Sequence, residues 1–310
     1  MAANFGEFNL SKRLVGKIQY RDRLSGKIVT EKIFQENTLR WLYETSIGYM
    51  IFRLLLNRKI FHLLYGRYQD SAYSRHKIAR FITQYGIDTA ELTLPPEKYF
   101  SFNAFFTRQL NAMARPFVVD EHIFCSPGDG KVLVYTQLNT ESQFQVKGQS
   151  ISLDSLLASS INPDIYSGGA AIVLRLAPYD YHRYHFSTEG IAQPAKYIRG
   201  EYHSVNPLAL AKVPDVYCRN QRAVTQFDSD NFGSIAYIEV GALTVSSIVQ
   251  TYTPGRVTKG QEKGYFQYGG STIILLFEPD RIIFERDLVR DSANGIEVQV
   301  LAGSKLGKKP

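Results

Sequence analysis

The apolar residues of this 310-residue chain change their spacing near residue 95, and that change divides the expected architecture. Upstream, Trp41, Leu42, Ile47, Met50, Ile51, Leu54, Leu55, Phe61 and Leu64 recur at helical intervals over residues 39–65, interrupted by Arg40, Glu44, Arg53, Arg58 and Lys59. Such recurrence predicts amphipathic helix. A second helix is expected over 71–85, with Ile78, Phe81, Ile82 and Tyr85 beside Arg75, Lys77 and Arg80, and Gly86 as its C-terminal cap. After Pro95-Pro96 a short aromatic helix is expected over 102–110, capped by Ser101. Beyond it the apolar runs become short and β-branched. They predict strands at 131–137, 142–146, 171–176, 223–227, 235–240, 244–251, 271–277 and 282–285, with one helix near 153–159. The expected class is therefore α+β: N-terminal amphipathic helices packed on a β-rich, barrel-like antiparallel core. Residues 1–100 would hold a hairpin and the helices, and residues 101–310 the β-rich domain.

Candidate chemistry gathers where one strand begins. Gly269-Gly270-Ser271-Thr272 leads directly into Ile273-Ile274-Leu275-Leu276-Phe277. Two glycines allow a sharp bend, and a serine held there can bring its Oγ onto the Gly270 carbonyl carbon. Alone, the segment is also ordinary turn chemistry. Elsewhere, Asp180-Tyr181-His182-Arg183-Tyr184-His185 carries two histidines, and Ser126-Pro127-Gly128-Asp129-Gly130 places a carboxylate between glycines. Acid, histidine and serine are the parts of an activated nucleophile and occur in any chain order. Singly, Asp129 reads as a turn cap and the histidines as a polar pair at a strand end.

Together these segments resemble the phosphatidylserine decarboxylase family. Phe105-Phe106-Thr107-Arg108-Gln109-Leu110 with Ala114-Arg115-Pro116 is similar to its Phe-Phe-x-Arg-x-Leu stretch and trailing Arg-Pro. Ser126–Gly130 resembles its Ser-Pro-Ala-Asp-Gly motif and Asp180–His185 its Asp-Tyr-His-Arg-x-His motif. Ser204-Val205-Asn206-Pro207, Asn220-Gln221-Arg222, Val240-Gly241-Ala242 and 259–266 follow in the family's order. The resemblance covers nearly the whole chain and points to the branch with a Gly-Gly-Ser-Thr processing site. Gly128 stands where the family usually has alanine, and Gln221 where many members have glutamate.

The resemblance implies self-cleavage between Gly270 and Ser271 into a β subunit (1–270) and an α subunit (271–310) that stay together as a heterodimer. Ser271 would be the nucleophile, His185 its base and Asp129 the group orienting that base. An ester formed at the Gly270 carbonyl would eliminate, and the dehydroalanine left at 271 would hydrolyse to a pyruvoyl group, the implied cofactor. That group serves as an electron sink: phosphatidylserine would join it as a Schiff base, lose carbon dioxide and leave as phosphatidylethanolamine. His182 or His185 is the expected proton donor in that step, with His182 preferred since His185 is assigned to processing.

Composition narrows the setting. Two cysteines, Cys125 and Cys218, suit a reducing compartment. There is no signal-peptide pattern, zinc spacing or phosphate loop, and no metal is expected. The net charge of +7 fits an anionic membrane, nucleic acid or mere solubility. No run reaches the ~20 uncharged residues of a membrane span, whereas basic amphipathic helices suit an interface. The expectation is a peripheral protein on the cytoplasmic face of the cell membrane, acting on phosphatidylserine in anionic membranes. It is expected to form homo-oligomers and not to bind nucleic acid. A non-catalytic membrane-binding relative and a pyruvoyl decarboxylase of a small amino acid are the rival classes.

Overall fold

A computed structural model describes residues 17–138, 143–146, 149–243 and 247–310. Its centre is an 11-stranded sheet. From one edge its strands run Gly255–Val257, Gly190–Ala192, Arg222–Ser229, Gly233–Val240, Ser271–Phe277, Ala170–Leu176, Gly130–Tyr135, Glu297–Val300, Gln19–Asp22 and Ile28–Thr30; Lys196–Ile198 pairs alongside Arg222–Ser229. Every pairing is antiparallel except that of Gln19–Asp22 with Glu297–Val300, which is parallel.

The α+β class holds, but the barrel-like closure expected from the strand spacing is not found. Among the described residues the sheet is open, with Gly255–Val257 at one edge and the hairpin strand Ile28–Thr30 at the other, and does not return on itself. Its two middle strands, Ser271–Phe277 and Ala170–Leu176, are buried at every position. Helices and loops therefore cover both faces there, which a continuous apolar run requires.

The first hairpin belongs to this sheet. Glu31, just after it, meets Arg175 of the central strand Ala170–Leu176 at 2.7 Å, and Arg175 meets Glu297 near the other end of the chain at 2.6 Å. All three are buried. Burial opposes charge on Arg175, but the two carboxylates outweigh it and hold its pKa well above the ordinary arginine value. Arg175→Ala should strip two buried carboxylates of the arginine they share and cost about 3–5 kcal/mol, read as a lower urea midpoint with unchanged slope.

The segment expected as one helix over 39–65 is broken at Thr45 and near Asn57 into Glu36–Glu44, Ser46–Ile51, a π turn at Phe52–Leu56, and Lys59–Asp70. Thr45 leaves helical conformation and its hydroxyl caps Gly48 N–H. The local signals further on act as expected. Gly86 ends Lys77–Tyr85 in the left-handed conformation at φ 65°, and Ser101 Oγ accepts from Ala104 N–H. The aromatic helix is shorter than its apolar run, Phe102–Phe106.

Of the strand at 244–251, Ile248–Gln250 is observed and residues 244–246 lie outside the described residues. Residue 142, where another strand was expected to start, lies outside them too. Several short elements carry too few residues to show a period, among them Glu262–Phe266, Glu297–Val300 and the helix Arg286–Ala293.

Candidate active site

Ser271 is the first residue of its strand and is fully buried, paired with Leu176 across the sheet. Of the glycines before it, only Gly269 has the backbone conformation that favours glycine, at φ 140°. Gly270 is uncrowded: a Cβ there would find only ordinary contacts, 3.7 Å from the Leu176 carbonyl oxygen and 3.8 Å from Val205. The bend is held from behind. Tyr268 N–H donates to Asn103 Oδ1 at 3.1 Å, and Phe266 N–H to the His182 carbonyl at 3.0 Å.

The structure places His182 against Ser271, with Oγ 3.5 Å from Nδ1. The other ring nitrogen, Nε2, lies 3.0 Å from the Ala177 carbonyl oxygen. A carbonyl only accepts, so Nε2 carries the hydrogen and Nδ1 of the neutral ring is the acceptor facing Ser271. The ring is fully buried and stacks on Phe106 at 4.1 Å. Burial above all, and then the nearby Arg108 charge, pushes its pKa down to about 3. A neutral imidazole with a free lone pair thus sits at residue 271.

His185 and Asp129 occupy neighbouring segments. His185 N–H donates to the Pro127 carbonyl at 2.8 Å, two residues before Asp129. Its ring lies near Phe117 and Tyr181, at centroid distances of 5.5 and 6.1 Å, and its Nδ1 is buried with no hydrogen-bond partner. Burial lowers its pKa, so this ring is also neutral. The Asp129 carboxylate accepts from Arg115 Nε and Nη2 at 2.8–3.0 Å and from Ala302 N–H at 2.8 Å. Burial pushes the Asp129 carboxyl up, and Arg115 and the Ala302 amide work against that push. Among the described residues no hydrogen bond joins Asp129 to His185 or His185 to Ser271. Gly128 has room for the alanine usual in the family, since a Cβ there would come no closer than 3.7 Å to Leu174.

Several functional neighbours were not assigned from sequence. Arg115 also binds Glu91, at 2.8 and 3.0 Å. Phe106 forms one wall of the His182 site, and Arg108 Nη2 donates to the Tyr179 and Asp180 carbonyls at 3.1 and 3.2 Å. All three lie in the quoted Phe-Phe-x-Arg and Arg-Pro stretches, so the signal was present without its geometry. A cavity opens beside Gly269 and Gly270, walled by Phe34, Tyr65, Val205, Leu243 and Tyr268. Glu31 and Arg175 line it as well, and it reaches the two glycines that precede Ser271.

The segment after Gly270 is interleaved with the rest of the chain. Its strands lie between Gly233–Val240 and Ala170–Leu176, between Gly130–Tyr135 and Gln19–Asp22, and between Ile123–Cys125 and Ile283–Phe284. A chain break before Ser271 would leave those ladders in place.

Comparison with known proteins bears on the same residues. The phosphatidylserine decarboxylase family profile matches residues 102–308, a span that includes Phe106, Asp129, His182, His185 and Ser271. The phosphatidylserine decarboxylase proenzyme of Clostridium novyi is 46% identical over 280 residues, 90% of this chain and 95% of that protein. Those of Ruminiclostridium cellulolyticum and Clostridium beijerinckii are each 42% identical, over 94% of this chain and 97% and 99% of their own lengths. With a profile match over more than half its length and near full-length relatives above 40% identity, this chain belongs to the phosphatidylserine decarboxylase family.

Proposed function

We propose that this chain is a proenzyme that cuts itself before Ser271, carries a pyruvoyl group at that position, and decarboxylates phosphatidylserine. The observation that carries the reading is the contact between Ser271 Oγ and the lone-pair nitrogen of a buried, neutral His182. Residue 271 fits such a group: it is shielded from bulk water, faces a proton acceptor, and follows two glycines that line a cavity walled by apolar rings and by the Glu31–Arg175 pair. The pyruvoyl carbonyl supplies a partner for the substrate amine and a sink for the electrons of the breaking carbon–carbon bond.

The protein's own residues do the rest. His182 Nδ1 would take the proton that the substrate amine gives up as it condenses at position 271, and would deliver it to the former α-carbon once carbon dioxide has left. The Phe106 ring and the buried strand exclude water from that exchange. Self-cleavage falls to Asp129 and His185. His185 is neutral with an unoccupied Nδ1, as a base must be, and its strand is bonded to the Asp129 segment. A second reading makes His182 the base for cleavage as well, favoured by its 3.5 Å approach to Ser271. Mass spectrometry of the purified protein tests the main reading. Two fragments are expected, the smaller starting at residue 271 with a blocked, pyruvoyl terminus; one intact chain without activity would instead mark a non-catalytic relative.

The membrane part of the reading rests on exposed apolar residues. Ile47, Leu54, Leu55, Ile60, Leu63 and Leu64 are each at least half exposed, beside the exposed Arg53, Arg58 and Lys59. Phe52, in the same segment, is fully buried against Tyr43 and His203, so it is no anchor. No helix among the described residues is long and apolar enough to cross a membrane. The helices would lie at a cytoplasmic membrane surface, their basic residues contributing roughly 1 kcal/mol each. Replacing Arg53, Arg58 and Lys59 with glutamine should weaken binding to phosphatidylserine vesicles and lower activity on bilayers, with self-cleavage untouched. High salt should weaken parental binding without abolishing it. Equal vesicle binding by the triple variant would place the contact surface elsewhere.

A further inference from the structure

His182 can hold its proton in two places, and something must choose between them. Its pKa is far below neutrality, so the ring is uncharged in use. Only the tautomer with hydrogen on Nε2 leaves Nδ1 free to accept at position 271. The choice is set by the Ala177 carbonyl, and that carbonyl belongs to a tightly held turn.

Residues 177–180 form a β-turn with Pro178 in the second position, closed by Asp180 N–H donating to the Ala177 carbonyl at 2.9 Å. The Asp180 side chain reaches back over the turn, and its Oδ2 accepts from Ala177 N–H at 2.7 Å. Both carboxylate oxygens lie 2.9 Å from Lys131 Nζ. Lys131 is fully buried, its ammonium 4.4 Å from the centre of the Tyr179 ring. Arg108 fixes the far side of the turn through the Tyr179 and Asp180 carbonyls. The Ala177 carbonyl belongs to the peptide that joins Ala177 to Pro178, which has no N–H, so it can only accept from His182; Asp180 holds Ala177 on both sides, through the Ala177 N–H and through its own N–H to that carbonyl.

We propose that Asp180, neutralised by Lys131, is a positioning residue that fixes the Ala177 carbonyl against His182 Nε2 and thereby keeps His182 in the Nε2–H tautomer, with Nδ1 as the proton acceptor at residue 271. A buried ion pair needs such a reason. Replacing a buried pair by apolar residues of similar volume is often neutral or stabilising, so this pair is poorly explained by stability alone. The inference rests on the reading of Ser271 and His182 given above, but its test separates from that reading.

The test uses the Ser271→Ala chain labelled with 15N at histidine, with His182 assigned by its loss in His182→Gln. Ser271→Ala removes the hydroxyl that faces Nδ1, so the backbone carbonyls of the 177–180 turn, Ala177 first, set the tautomer. In this chain His182 should show a protonated Nε2 and an unprotonated Nδ1. Asp180→Asn leaves the Lys131 charge unpaired and can misfold, so the deciding variant is Asp180→Leu with Lys131→Met, which removes both charges together. In that background the fold should persist by circular dichroism, while the His182 signals shift towards a mixture of tautomers. With Ser271 intact, the double variant should lose about 100-fold in kcat with little change in KM, the scale of a misplaced acid–base group. Unchanged His182 nitrogen shifts in the folded double variant, or an Nδ1–H tautomer in the parent, would overturn the proposal. Cleavage of Ser271→Ala at Gly270 would instead overturn the assignment of the nucleophile and leave the tautomer question standing.

Discussion

Ser271→Ala is expected to give one uncut, folded chain with no decarboxylase activity. The substitution removes the only hydroxyl in the Gly269-Gly270-Ser271 bend, so no atom there can attack the Gly270 carbonyl. A peptide bond resists spontaneous attack because of its amide resonance, and without the oxygen the cofactor has no source. Stability should hardly change. The lost contact is the 3.5 Å approach to His182, at the long limit for a hydrogen bond. Residue 271 is held by its backbone pairing with Leu176 and by the apolar run after it. A denaturing gel, intact mass and a thermal melt read the three parts of the prediction. A variant still split at Gly270 would remove Ser271 as the nucleophile, and with it the link between this bend and the cofactor.

The two histidines should separate by function. His185→Ala and Asp129→Asn are each expected to slow self-cleavage by about 100-fold or more, the scale of general-base loss. Asp129→Asn keeps the shape of the side chain but removes the charge that Arg115 and the Ala302 amide now surround. His182→Ala should cut more nearly normally yet fail to decarboxylate, because the cut chain lacks the group that delivers a proton to the substrate's former α-carbon. It also opens a cavity against Phe106, so its melting temperature must be followed alongside. The informative measurement is the time course of cleavage after synthesis, paired with decarboxylation by whatever fraction has been cut. An uncut His182→Ala together with a processed His185→Ala would make His182 the base of cleavage, and the 3.5 Å contact would then be the reactive one.

These roles fall on an ordered chain of parts. The loop from Ala177 to His182 delivers the imidazole, and the Phe102–Phe106 helix with Arg108 braces both that loop and the bend before Ser271. The Phe-Phe-x-Arg stretch therefore supports the site through packing and backbone capture. Phe106 supplies the ring against His182, Arg108 holds two carbonyls, and Asn103 holds Tyr268.

What the sequence determined by itself is what depends on a few neighbouring residues. The short, β-branched run after Ser271 reads as a buried strand, Gly86 and Ser101 end and start helices by local hydrogen bonds, and Gly269 takes a backbone conformation closed to most other residues. The motifs carrying Asp129, His182, His185 and Ser271 were also legible, because each is contiguous. Tertiary structure alone decided which atoms meet. His182 and His185 are three residues apart and chemically alike, yet only His182 reaches Ser271, since the turn at 177–180 sets the direction of its ring. Arg115 finds Asp129, Phe52 turns inward, and the first hairpin pairs with a strand that starts at Glu297. Whether the sheet closed was settled in the same way, by the partners available to its edge strands. Periodicity and capping are interactions within one or two turns of chain; register and side-chain contact are set by residues tens to hundreds of positions apart, whose pairing no local pattern encodes.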